Sequence, residues 1–132
     1  MHIFVYGTLT DPTQAARVLD EFAYAGAATL EGLHRVDGAY PTLSPGGRVE
    51  GRLLETDDVA ALDRYEGVDR GLYVRVAVPD TGAGGAGDPD RVAVYVGDPA
   101  ALDAPADWPG KGAFDERVRG YCRAHAVEIR RA

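Results

Sequence analysis

The chain has 132 residues, a formal net charge of -7 and a single cysteine, Cys122. That length suits one domain, 1–132, with one real core, and a lone cysteine excludes an intrachain disulfide or a cysteine-pair metal site. Thirteen arginines stand against one lysine and fourteen aspartates against seven glutamates; the acidic balance and the scattered arginines argue against nucleic acid or an anionic membrane as partner, because both need cationic footprints.

High Asp with low Lys suits adaptation to high salt or a GC-rich coding sequence equally well. No charged-then-apolar leader and no apolar run near ~20 residues occurs, so a soluble, cytoplasmic protein is expected. His2, His34 and His125 lack metal-site spacing, and no metal is expected.

In chain order, His2–Tyr6 reads as a short buried strand, apolar and β-branched. Asp11-Pro12-Thr13-Gln14 is a helix start, with Asp11 as N-cap, Pro12 at the first helical position and Gln14 three after the cap. The helix is expected to reach about Asp20. Residues 24–36 suggest a strand broken by Gly32, and 37–47 a loop carrying Tyr40-Pro41. Residues 48–55 read as a strand with a bulge at Gly51. Residues 56–67 have a helix signature, from Thr56/Asp57 to the stop at Gly67.

Residues 72–79 alternate, with Leu72, Val74, Val76 and Val78 on one face and Tyr73, Arg75 and Ala77 on the other. Residues 91–98 alternate as well, and the Gly-rich 80–90 between them predicts a hairpin with a long, mobile tip. A Pro/Gly-rich loop around Trp108 follows. Phe114, Val118, Tyr121, Cys122 and His125 then fall at helical spacing and predict an amphipathic helix over 114–126. No internal repeat is present. The order of elements is not the strict alternation of a doubly wound sheet; it predicts an α+β domain with a mixed, curled sheet or partly open barrel and flanking helices.

Glu66 stands out chemically. Val59, Leu62 and Glu66 lie at i, i+3 and i+7, one stripe of a helix whose other acids, Asp57, Asp58 and Asp63, can sit on the wet side. A carboxylate on an inner face is costly unless it is paired or opens into a cavity, and burial raises its pKa toward the range of a neutral-pH acid/base. Fraying at Gly67, or a structural pair with Arg75 or Arg52, would remove that role.

Tyr6-Gly7-Thr8-Leu9 also has two readings. Gly7 either lets the chain turn after a strand or lets a ligand approach the backbone, where N–H groups before a helix could hold a carboxylate. No nucleotide-phosphate motif occurs. A Cys122–His125 dyad is conceivable, though i, i+3 on a terminal helix is more often packing. Ser44 is the only serine and sits in no nucleophile motif, and no second carboxylate is singled out for a glycosidase pair.

Together, VYGTL (5–9), AYPTL (39–43), VEGRLLE (49–55), ALDRYEG (61–67), YVRVAV (73–78) and VAVYV (92–96) resemble the γ-glutamylcyclotransferase-like, or AIG2-like, family in order and spacing over about residues 2–97. The resemblance implies a barrel-like α+β fold and, in active members, release of 5-oxoproline from γ-glutamyl compounds without cofactor or metal. The family's glutamate falls on Glu66, its substrate-cradling loop on Tyr6, Gly7, Thr8 and Leu9, and its later aromatic positions on Tyr73 and Tyr95, with Tyr40 in the Tyr-Pro loop. Arg75 shares the tyrosine face and could meet Glu66 or substrate. The expected partner is a small γ-glutamyl compound. A non-catalytic binding module with the same pocket is the alternative.

Overall fold

A computed structural model describes residues 1–81 and 90–131. Its described residues hold six strands, β1 (His2–Val5), β2 (Ala23–Asp37), β3 (Pro41–Glu55), β4 (Tyr73–Asp80), β5 (Asp90–Gly97) and β6 (Glu128–Arg131). The α-helices are α1 (Pro12–Val18), α2 (Val59–Glu66), α3 (Pro99–Leu102) and α4 (Phe114–Ala124). The strands form one closed barrel in the order β1-β3-β2-β6-β4-β5. Closure is made by β1, antiparallel to β3 and parallel to β5, with Phe4 opposite both Leu53 and Val94. The curled sheet of an α+β domain is therefore present.

Alternation divides the apolar residues between two cores. Phe4, Leu30, Leu53, Val76, Val94 and Ile129, one from each strand, meet inside the barrel, where Trp108, Val118 and Cys122 join them. Ile3, Val5, Leu54 and Tyr95 point the other way and pack with Leu62 of α2 and Leu9, Ala15 and Leu19 around α1. β1 is thus buried on both faces, which is why it reads as an unbroken apolar run.

Several boundaries differ from expectation, each for a local reason. The chain 37–47 is not a loop: β2 and β3 form a long hairpin from Asp37–Pro41 to Ala23–Glu55. One of its two irregularities, where Glu31 faces Arg48 and Leu33 faces Pro45, is absorbed by Gly32, Gly46 and Gly47, all at positive φ. Gly32 therefore shifts the register without ending the strand. Gly51 carries no bulge and pairs regularly with Ala28; its missing side chain serves a close approach, since a Cβ there would collide with the Val5 carbonyl oxygen.

α1 stops at Val18, short of Asp20, and α4 stops at Ala124 with His125 as its C-cap. α2 starts one or two residues later than expected because Asp58 is the cap, its Oδ1 accepting from Ala61 N–H at 3.1 Å. β6 was not anticipated. It pairs with β2 and, through Ile129, with Asp80 of β4. Most of the expected hairpin tip, 82–89, lies outside the described residues. Among the described residues no helix is long and apolar enough to cross a membrane.

Candidate active site

After β1 the chain turns through Tyr6 and Gly7 into a short 3₁₀ turn, Thr8–Thr10, and then into α1, where Asp11 caps Thr13 N–H at 2.9 Å. Thr10 and Asp11 send their N–H groups to the Gly7 and Thr8 carbonyls, both at 3.1 Å. The N–H groups of Gly7, Thr8 and Leu9 find no acceptor among the described residues. These are the orphan donors that open any helical turn. They border a cavity of about 280 Å³.

Across the cavity is the end of α2. Ala61 and Leu62 anchor the helix in the outer core. Gly67, left-handed at φ 72°, stops it and returns its N–H to Arg64 O at 3.2 Å. This holds Glu66 in the helical stripe, so the side chain lines the cavity and does not fray into solvent. Burial raises the Glu66 carboxyl from about 4.5 to about 7. Among the described residues it has no ion pair: Arg75 pairs with Asp63, and Arg52 lies over the Tyr24 ring while donating to Thr10 O at 2.9 Å.

Three tyrosines complete the inner wall, and each spends its hydroxyl proton on the protein. Tyr6 donates to Tyr95 O at 2.6 Å, Tyr73 to Pro41 O at 2.6 Å and Tyr95 to Asp63 Oδ1 at 2.7 Å. Burial, reinforced by neighbouring charge, holds all three phenols well above their ordinary range, so they stay neutral. A hydroxyl whose proton is committed offers only lone pairs, which suits a cationic or N–H-bearing ligand.

The cavity brings together Tyr6, Gly7, Thr8, Leu9, Glu66, Tyr73 and Tyr95, with Tyr40 exposed at the rim. Arg75 is different. It does not line the cavity; its Nε lies 3.4 Å from Asp63 Oδ1, behind Tyr95. Asp63, expected on the wet side, is thus the acceptor that orients Tyr95. The usable signal was spacing, since 59, 63 and 66 also share a helical face, and a buried tyrosine hydroxyl needs a partner.

Sequence reasoning also passed over Tyr65 and Arg70, both on the cavity wall. The Tyr65 hydroxyl meets Thr8 Oγ1 at 2.8 Å and accepts from Gln14 Nε2 at 3.3 Å. Gln14 therefore ties α1 to α2 and does not reach back to its own cap. The Cys122–His125 pair does not form among the described residues. Cys122 is buried and its thiol is pushed up to about 11, while exposed His125 stacks on Tyr121 with ring centroids 4.2 Å apart.

On a six-stranded barrel, the site is a tyrosine-walled cavity bordered by amides without acceptors among the described residues and by a desolvated carboxyl. The chain belongs to the gamma-glutamyl cyclotransferase, AIG2-like family, which it matches over residues 3–113. It is 34% identical over 82 residues to Protein AIG2 C of Arabidopsis thaliana, covering 58% of this chain and 50% of that protein, so it spans about half the length of this curated relative.

Among solved structures it is similar to a gamma-glutamyl cyclotransferase, with TM-score 0.60, 20% identity, and 74% of this chain and 66% of that chain covered. It is also similar to an uncharacterised protein from Pyrococcus horikoshii, with TM-score 0.57, 22% identity, and 95% and 98% covered. At these identities the likeness is one of fold.

Proposed function

We propose that this protein is a γ-glutamylcyclotransferase-type enzyme that releases 5-oxoproline from a γ-glutamyl amide, with Glu66 as general acid/base. The observation that carries the reading is Glu66 itself: a carboxyl in a cavity, without an ion pair among the described residues and poised at about 7 by burial. Family membership supports the reaction class.

In a γ-glutamyl amide the nucleophile and electrophile belong to one molecule, so the protein's task is to fold the chain back and move a proton. The N–H groups of Gly7, Thr8 and Leu9 would hold the α-carboxylate. The lone pairs of the tyrosine hydroxyls would receive the α-ammonium. Glu66, as carboxylate, takes a proton from that ammonium. The freed amine attacks the γ-carbonyl carbon, and a five-membered ring closes. The departing nitrogen takes that proton from Glu66, and the carboxylate so regenerated removes the second proton from the ring nitrogen; the amide C–N bond then breaks to give 5-oxoproline and the free amine, to which Glu66 passes the remaining proton. Every step uses groups of the chain and the substrate.

The test is incubation with a panel of γ-glutamyl compounds and assay of 5-oxoproline by mass spectrometry. Product from the wild type that disappears in Glu66→Gln is the expected result. Full activity in that variant would remove Glu66 from the mechanism, and saturable binding without product would leave a binding module.

A further inference from the structure

We infer that Arg70 reads a carboxylate on the departing amine, so that the site selects γ-glutamyl α-amino acids over γ-glutamyl alkylamines; this rests on the cyclotransferase reading of the cavity. Arg70 is the one cationic side chain lining the cavity among the described residues. Its backbone is pinned. The 3₁₀ turn Val68–Arg70 is bracketed by Gly67 and Gly71, left-handed at φ 72° and 73°. Arg70 N–H and Leu72 N–H both bond to Gly67 O at 3.0 Å. The side chain crosses over Gly67, where a Cβ would come within 2.9 Å of Arg70 Nη2. Gly67 therefore does two things: it ends α2, and it leaves space for a guanidinium beside the residue that follows Glu66.

That cation is uncommitted. Among the described residues Arg70 makes no ion pair and no hydrogen bond through its side chain. Nor does it form an ion pair with Glu66 among the described residues. The cavity wall thus carries one carboxyl and one guanidinium that form no ion pair with each other among the described residues, a division that suits a ligand with charges of both signs.

Reaction geometry assigns the ligand's charge. The departing nitrogen must come within reach of Glu66 to take its proton. In a γ-glutamyl α-amino acid the second carboxylate lies two bonds beyond that nitrogen, which brings it toward the guanidinium over Gly67. An alkylamine has no anion there. The glutamyl α-carboxylate already has the amides of Gly7–Leu9, so two anion-binding elements imply two carboxylates. A guanidinium can take the second in fork geometry.

γ-Glutamyl-alanine and γ-glutamyl-ethylamide differ only in that carboxylate. Their affinities would be measured by calorimetry on Glu66→Gln and on Glu66→Gln/Arg70→Gln, and 5-oxoproline release on the wild type. Expected is about a tenfold or greater preference for γ-glutamyl-alanine with Arg70 present, falling to about one with Arg70→Gln and partly kept with Arg70→Lys. Equal affinities with Arg70 present, or a preference that survives Arg70→Gln, would overturn the inference. Equal weakening of both ligands would also overturn it, assigning Arg70 to the glutamyl α-carboxylate.

If 5-oxoproline forms in any of those cases, the cyclotransferase reading stands alone. A preference that depends on Arg70 without any product leaves the Arg70 assignment standing and removes the turnover. Failure of both ligands to bind overturns both.

Discussion

Helices α2 and α4 each carry an ionisable side chain whose pKa burial raises, Glu66 and Cys122. Burial acts on both in the same direction, raising the carboxyl to about 7 and the thiol to about 11. The consequences are opposite. A carboxyl raised to 7 can accept and return a proton at neutral pH. A thiol raised to 11 is ionised in only about one molecule in ten thousand at pH 7 and is a poor nucleophile. Surroundings complete the contrast: Glu66 opens into the cavity, whereas Cys122 packs in the barrel core with Trp108 and Val118. Helical spacing places a residue on an inner face; its chemistry and what lies beyond that face decide whether burial makes it functional.

That contrast can be broken at several points. The largest effect belongs to Glu66→Gln, expected to lower kcat for 5-oxoproline release by about 10²–10⁴-fold, the usual scale of general acid–base catalysis. A loss below threefold would equate the two helices. Next comes the support behind Tyr95. Asp63→Ala frees the Tyr95 hydroxyl and unpairs Arg75; kcat is expected to fall about tenfold with KM little changed, and Asp63→Asn, whose amide oxygen can still accept, should recover part of it. A rise in KM alone, or no recovery by Asn, would make Asp63 a packing residue.

A smaller effect concerns stability. The folded-state pKa of Glu66 lies above its unfolded value, so between about 4.5 and 7 the folded protein binds more protons than the unfolded chain. Glu66 therefore costs nothing below pH 4.5, and stability falls as pH rises through 7. Glu66→Gln should raise stability by about 1–3 kcal/mol at pH 8 and change it little at pH 4, as read by denaturant titration. Destabilisation at pH 8 would mean that the carboxylate has a partner. The smallest effect is that of Cys122→Ala, expected to leave turnover within about twofold, with the wild-type thiol resisting iodoacetamide at pH 7.5 until the protein unfolds. Rapid labelling would contradict its inert role.

What the sequence made legible follows from local physics. The Asp11-Pro12 start of α1, the Gly67 stop of α2 and the alternation in β4 and β5 are each signalled within a few residues. The opening turn and Glu66 stood out for the same reason. What it hid depends on distant pairing. Pro41, Pro45, Gly46 and Gly47 look like a loop, yet β3 runs through them because Gly32 absorbs the mismatch on the facing strand. β6 is four residues with one fully buried side chain, Ile129, and exists through its partners β2 and β4. Asp63 and Arg70 gain meaning only from Tyr95 and Gly67, one distant in sequence and the other without a side chain.

The central claim is that Glu66 is a neutral-pH acid/base without a charged partner. Its most direct test is a ¹³C NMR titration of the Glu66 side-chain carboxyl in the ligand-free protein. A midpoint near 7 is the predicted result. A midpoint at or below 4.5 would mean that the carboxylate is solvated or paired, and would contradict the account.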